Sequence, residues 1–128
     1  MRLWVIIASI SSFLAVLIGA MGAHTLLPML SAKGLVNFQT ANDYHIYHSF
    51  ALMGCAYLWP YYGTKGSNKP YLKYSALSFL MGILLFSGNL YWLALFEENP
   101  FHLLIPVGGT FFLLGWALMA LSAYKSAQ

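Results

Sequence analysis

LWVIIASISSFLAVLIGAMGA, residues 3–23, contains no charged side chain. A helix needs about 20 mainly apolar residues to cross the hydrocarbon core of a bilayer, and this run has that length without a break. Arg2 ahead of it and Gly19-Ala20-Met21-Gly22-Ala23 at its end give it the look of a secretory signal. The apolar part of such a signal is usually about 7–15 residues, so a retained helix is expected.

Working outward, three further stretches have the same character: 44–62, 74–96 and 101–124. The second is the weakest, since its first turns hold His45, Tyr47, His48 and Ser49. The connections are then 24–43, 63–73 and 97–100. Gly63, Gly66, Ser67, Asn68 and Pro70 mark the middle one as a turn. Asn99-Pro100 reads as a cap with proline at the first helical position. Leu26, Leu27, Met29, Leu30, Leu35, Val36 and Phe38 make 24–43 too apolar for an ordinary loop; a segment lying in the membrane interface is expected.

Composition agrees. Hydrophobic residues make up 60% of the 128 and charged residues 7%, against about 25% charged in soluble domains. The expected architecture is all-α: one integral membrane domain over 1–128, a four-helix bundle in the cell (inner) membrane. Six Lys and Arg against three Asp and Glu give a net charge of +3. No basic run is interleaved with aromatics, so nucleic acid is not expected as a partner. The charge reads instead as a topology signal. With four spans, Arg2, Lys65, Lys69, Lys73 and Lys125 share one side, and only Lys33 lies on the other. Lys and Arg favour the cytoplasm, which places both termini inside. Cys55 is the only cysteine, so no intrachain disulfide can form.

At 100° per residue, Ala8, Ser11, Ser12, Ala15, Gly19, Gly22 and Ala23 fall within about 120° on the first helix. Small residues let helices approach closely in lipid, so Ala15, Gly19 and Gly22 are assigned to packing. Gly82 on the third helix and Gly108 and Gly115 on the fourth are assigned likewise.

The polar residues gather in the outer half, which holds His24, Asn42, Asp43, Tyr44, His45, Tyr47, His48, Ser87, Asn89, Tyr91 and Thr110; of these His24, Tyr44, His48, Ser87, Asn89 and Tyr91 form the candidate cluster. Tyr44, His48, Ala51 and Cys55 share an arc of about 60°, so His48 is expected to be buried between helices and bonded near Tyr91 or Ser87. An ionisable residue at membrane depth is a functional candidate by default. Beside that stands the plain reading, in which a neutral histidine simply ties two helices together. A metal needs three or four ligands, and only His24 and His48 present themselves. No metal or other cofactor is expected. No serine–histidine–acid set exists, and Asp43, Glu97 and Glu98 sit at helix ends, so no enzyme is expected. The glycine clusters lack the strand and lysine of a phosphate loop.

Four blocks in order, GAMGAH at 19–24, FQTA at 38–41 with Tyr44 and His48, FSGNLY at 86–91, and PVGG at 106–109 with Gly115-Trp116, resemble the YgdD-like family of small membrane proteins, a domain of unknown function found in bacteria and mitochondria. The resemblance covers nearly the whole chain. Met21 stands where phenylalanine is common, and Ile105 where threonine is. It implies a multipass inner-membrane protein and brings no activity, substrate or cofactor.

Two functions are therefore expected. The first is a non-enzymatic accessory subunit or scaffold working through helix–helix contacts, its partners the lipid bilayer and other membrane proteins or further copies of itself. The alternative is a binding protein for a lipid-like, quinone-like or metal ligand at the outer cluster. A transporter is disfavoured, because four short helices make a poor pathway.

Overall fold

The computed structural model describes residues 2–62, 69–98 and 100–126, and every long element in them is helical. Helix α1 is Arg2–Met21, and it runs on through a wide π turn, Gly22–Leu26, and a short 3-10 turn, Leu27–Met29. Helix α2 is Ala32–Tyr62. Helix α3, Lys69–Gly82, passes through a second π turn, Ile83–Ser87, into α4, Gly88–Phe96. Helix α5 is Leu104–Ser126. The turn expected at Gly63, Gly66, Ser67 and Asn68 and the cap expected at Asn99 lie outside the described residues.

The largest correction concerns α2, which starts twelve residues before the expected boundary. Ser31 caps it: its Oγ accepts from the Gly34 N–H at 3.0 Å, which satisfies a donor that the first turn leaves open. Of the segment expected to lie in the interface, residues 32–43 belong to this helix, and Phe38 and Ala41 among them are buried. At 31 residues, α2 is about 46 Å long at the α-helical rise. Smaller corrections apply elsewhere. The third rod begins at Lys69 rather than 74, with Pro70 in its first turn. The last helix begins at Leu104 rather than 101, after turn bonds from Leu104 N–H to Phe101 O and from Ile105 N–H to His102 O.

Three helices are long and apolar enough to cross a membrane, Arg2–Leu26, Pro70–Phe96 and Leu104–Lys125. Helix α2 is not among them, although four spans were expected. Its buried residues include His45, His48 and Ser49. These lower its hydropathy, and each is buried against neighbouring helices.

Helix α2 and the α3–α4 rod form the central pair. Helix α1 leans on α2, and α5 leans on α3 and the second π turn. The α3–α5 seam is the tightest. A Cβ placed on Gly108 would fall on the Phe86 backbone nitrogen and 2.8 Å from the Leu85 carbonyl carbon, so two backbones meet there and only glycine fits. Gly82 lies against the Phe112 ring and Gly115 against Phe79. Ser75 donates across the seam to the Gly115 carbonyl at 2.7 Å, and Cys55 Sγ lies 3.5 Å from Ser75 Oγ. Ala15 on α1 and Gly22 at the start of the π turn are buried, Gly19 abuts Asn42, and Gly22 abuts Phe38.

Because α1 and α5 lean on opposite members of the central pair, a cleft remains beside each of them. One lies between α1 and α3–α4 with α2 beneath it. The other lies between α2 and α5.

Candidate functional site

The α1–α4 cleft is the better candidate, and its construction starts from helical spacing on α2. His45, Ser49, Leu52 and Ala56 recur at four, three and four residues, and all are buried; this arc holds His45 and Ser49 against α1. Ser11 stands on the small-residue face of α1 between Ala8 and Ala15, both fully buried. The short neighbours let α1 come close enough for Ser11 Oγ to lie 2.6 Å from Ser49 Oγ and 3.1 Å from His45 Nε2.

From there the protons can be followed one by one. Ser49 donates to the His45 carbonyl at 2.7 Å, so the proton between the two serines belongs to Ser11. Ser11 therefore accepts from His45, which puts the ring proton on Nε2 and leaves Nδ1 bare. The Tyr91 hydroxyl donates to that nitrogen at 3.4 Å. Tyr91 in turn accepts from Asn42 Nδ2 at 2.9 Å, and the same amide nitrogen donates to the Ala15 carbonyl at 2.8 Å. One network thus ties α1, α2 and α4, and each of its donors is committed within it.

Above this floor the walls are apolar. Ile7, Ile10, Leu14 and Ile18 form the α1 side, and Leu80, Ile83 and Leu84 form the opposite one. The volume is about 360 Å³, within the range of roughly 300–1,000 Å³ typical of small-molecule sites. Ser87 completes the α4 side. It closes the second π turn, where the Gly88 N–H reaches back five residues to the Ile83 carbonyl. Wide turns of this kind often stand at functional sites. Ser87 is fully buried, and its hydroxyl has no hydrogen-bond partner among the described residues. Ser122 shares that condition but lines neither cleft.

The cluster expected from sequence divides between the two clefts. Ser87 and Tyr91 belong to the first; Tyr44 and His48 belong to the second. His48 is 5% exposed, but its partners are not Tyr91 or Ser87. Its Nδ1 donates to the Tyr44 carbonyl at 2.8 Å, its Nε2 accepts from Trp116 Nε1 at 3.3 Å, and its ring stacks on Phe112 with centroids 3.5 Å apart. Both nitrogens are used, so His48 acts as a tie between α2 and α5. Asn89 donates to the Leu85 carbonyl of its own rod at 2.8 Å. His24 is exposed on the first π turn. Among the described residues no three His, Cys, Asp or Glu side chains converge, so the donor set gives a metal ligand no support. His45, Asn42, Ser11 and Ser49 were not assigned a site role from sequence. Ser11 and Ser75 each bond a neighbouring helix.

The second cleft is larger, about 690 Å³, but among the described residues it has no buried polar side chain left without a partner, and the Tyr44 and Tyr47 rings in its wall are exposed. His48 is fully paired, and Thr110 donates to the Val107 carbonyl at 2.6 Å.

Comparison with known proteins adds the family. Residues 18–109 match the family described as "Protein of unknown function (DUF423)". The chain belongs to that family. It is 38% identical over 120 residues to a UPF0382 membrane protein of Haemophilus influenzae, covering 94% of this chain and 92% of that one. Against the UPF0382 inner membrane protein YgdD of Escherichia coli K12 the identity is 36% over 124 residues, covering 97% and 91%. A UPF0382 membrane protein of Staphylococcus saprophyticus is 32% identical over 125 residues, covering 98% and 99%. No solved structure matches. Like its DUF423 relatives, the chain is a multi-pass inner-membrane protein.

Proposed function

We propose that this protein is a non-enzymatic membrane protein that binds a lipid-like molecule in the α1–α4 cleft, entered sideways from the bilayer. One observation carries the reading: the cleft is walled by apolar side chains, yet the Ser87 hydroxyl beside it is buried without a partner. Leaving a buried donor unmade costs about 1–3 kcal/mol. A bound ligand that accepts from Ser87 recovers that loss.

The chain crosses the membrane four times, with both termini in the cytoplasm. The five-to-one distribution of Lys and Arg supports this orientation. Helix α2 enters with His45, His48 and Ser49 buried against its neighbours, since lipid cannot satisfy them.

Photolabelling in nanodiscs with a diazirine-bearing C16 fatty alcohol tests the ligand reading. Label is expected on Ile10, Leu14 and Leu84 well above the level on Phe13 and Leu113, which are 66% and 72% exposed. Leu84→Trp, which fills the cleft, removes the excess. Label spread evenly over the exposed apolar surface refutes it. Topology is tested separately with Thr64→Cys and a membrane-impermeant maleimide, for which the single buried native cysteine gives little background. Labelling from the periplasmic side of intact cells overturns the orientation.

A further inference from the structure

Resting on that reading, we infer that the ligand of the α1–α4 cleft is a neutral lipid whose head is a hydrogen-bond-accepting carbonyl, of the ketone or quinone type.

The charge of the cleft and its count of protons select the head. No Lys, Arg, Asp or Glu lines it. A phosphate or carboxylate head would be taken out of water with no cation to meet it, which is far costlier than burying a neutral group. An ammonium head meets the same obstacle, having no carboxylate there. Charged phospholipid heads and fatty-acid anions are disfavoured on this ground. A wholly apolar chain fits the walls but leaves Ser87 as it stands.

The remaining question is whether the head donates or accepts. In the floor beneath the cleft, Ser49 donates to the His45 carbonyl, Ser11 to Ser49, His45 to Ser11, Tyr91 to His45, and Asn42 to Tyr91 and Ala15. Each of those protons has an acceptor already. The Ser87 hydroxyl alone among the polar side chains lining the cleft has a proton with no acceptor. The complementary ligand group supplies a lone pair and needs to bring no proton of its own. A carbonyl is such a group. Ser87 is covered by its neighbours, so the head reaches it as the apolar lining yields and the side chain turns between staggered rotamers.

The test uses four competitors of similar chain length against the fatty-alcohol photolabel on protein in nanodiscs: 2-undecanone, decyl-benzoquinone, decanoate and undecane. The two carbonyl compounds are expected to protect Ile10 and Leu84 about tenfold more effectively than undecane or decanoate. Tenfold is the upper end for one neutral hydrogen bond. Comparing ketone with quinone separates a simple carbonyl requirement from recognition of the quinone ring. Ser87→Ala is expected to abolish the preference while keeping the labelling. It removes an unpaired buried hydroxyl, so its thermal stability is unchanged or higher, which shows that the fold is intact. Equal protection by all four compounds overturns the carbonyl assignment and leaves the cleft reading standing. A preference that survives Ser87→Ala overturns the role of Ser87. No labelling above the lipid-facing background refutes the cleft itself.

Discussion

Gly108 and Gly109 are adjacent in α5, and replacing each with alanine isolates a close approach of this helix to the backbone of the second π turn. At Gly109 the nearest atoms a new Cβ would meet are Phe86 Cδ2 and Cε2, at 3.8 and 3.9 Å, an ordinary contact. At Gly108 the same methyl falls on the Phe86 backbone nitrogen, with the Leu85 carbonyl carbon and Phe86 Cβ both at 2.8 Å. Backbone atoms cannot rotate aside as a side-chain tip can, so α5 must move off the π turn. Both substitutions gain about 1 kcal/mol of helix propensity, which cancels when the two are compared. What remains is the overpacking at Gly108, at the upper end of about 1–3 kcal/mol. Gly109→Ala is therefore expected to equal or slightly exceed the native protein in stability, and Gly108→Ala to fall about 2 kcal/mol below it. Unfolding by SDS titration from dodecylmaltoside, followed by circular dichroism, measures the difference. Equal stabilities, or the reverse order, would refute the close approach of α5 to the π turn.

Two further expectations follow from the packing. Gly19→Leu should cost about 2–3 kcal/mol, because its Cβ would lie 2.8 Å from Asn42 Oδ1 and Asn42 is held by Ala15 and Tyr91; Leu17→Phe, at a position 45% exposed, should stay within about 0.5 kcal/mol in the same assay. His48→Ala should lose about 2–3 kcal/mol through the cavity and the stranded Trp116 N–H, while His48→Gln, with a donor and an acceptor, recovers part of it. Glutamine behaving no better than alanine would show that the bonds to Tyr44 and Trp116 contribute little.

Much of this was legible in the residues. The uncharged runs located α1, the α3–α4 rod and α5, because a bilayer demands about 20 apolar residues and few other settings do. The long α2 was half-legible. Gly34, Phe38, Ala41, His45 and Ser49 follow helical spacing, but with Lys33, Asn37, Asn42 and Asp43 among them the stretch does not look apolar. Its buried face mixes apolar residues with His45, His48 and Ser49, which hydrogen bonds satisfy, a pattern that hydropathy misses. The candidate site was legible in membership but not in partition. Tyr44, His48, Ser87 and Tyr91 all line clefts, but which residues share one depends on where the rod is interrupted. The arc of Tyr44, His48 and Cys55 drew notice because its neighbours are small; the arc through His45 and Ser49 is buried as well, since α2 is covered on two sides. Nothing in ILLFS at 83–87 signals a wide turn.

That turn also sets the phase of everything after it. A π turn accommodates one residue more than an α turn spanning the same rise, and one residue is worth about 100° of rotation about the axis. With Ile83–Ser87 wound as ordinary α-helix, α4 would arrive rotated by roughly a quarter turn, and Tyr91 would be carried away from Asn42 and His45. Phe86 and Ser87, consecutive in the chain, are delivered by the same winding to different clefts. The extra residue works like a vernier between two halves of one rod: α3 is locked to α5 on its own setting, and α4 is indexed to α1 and α2 on another.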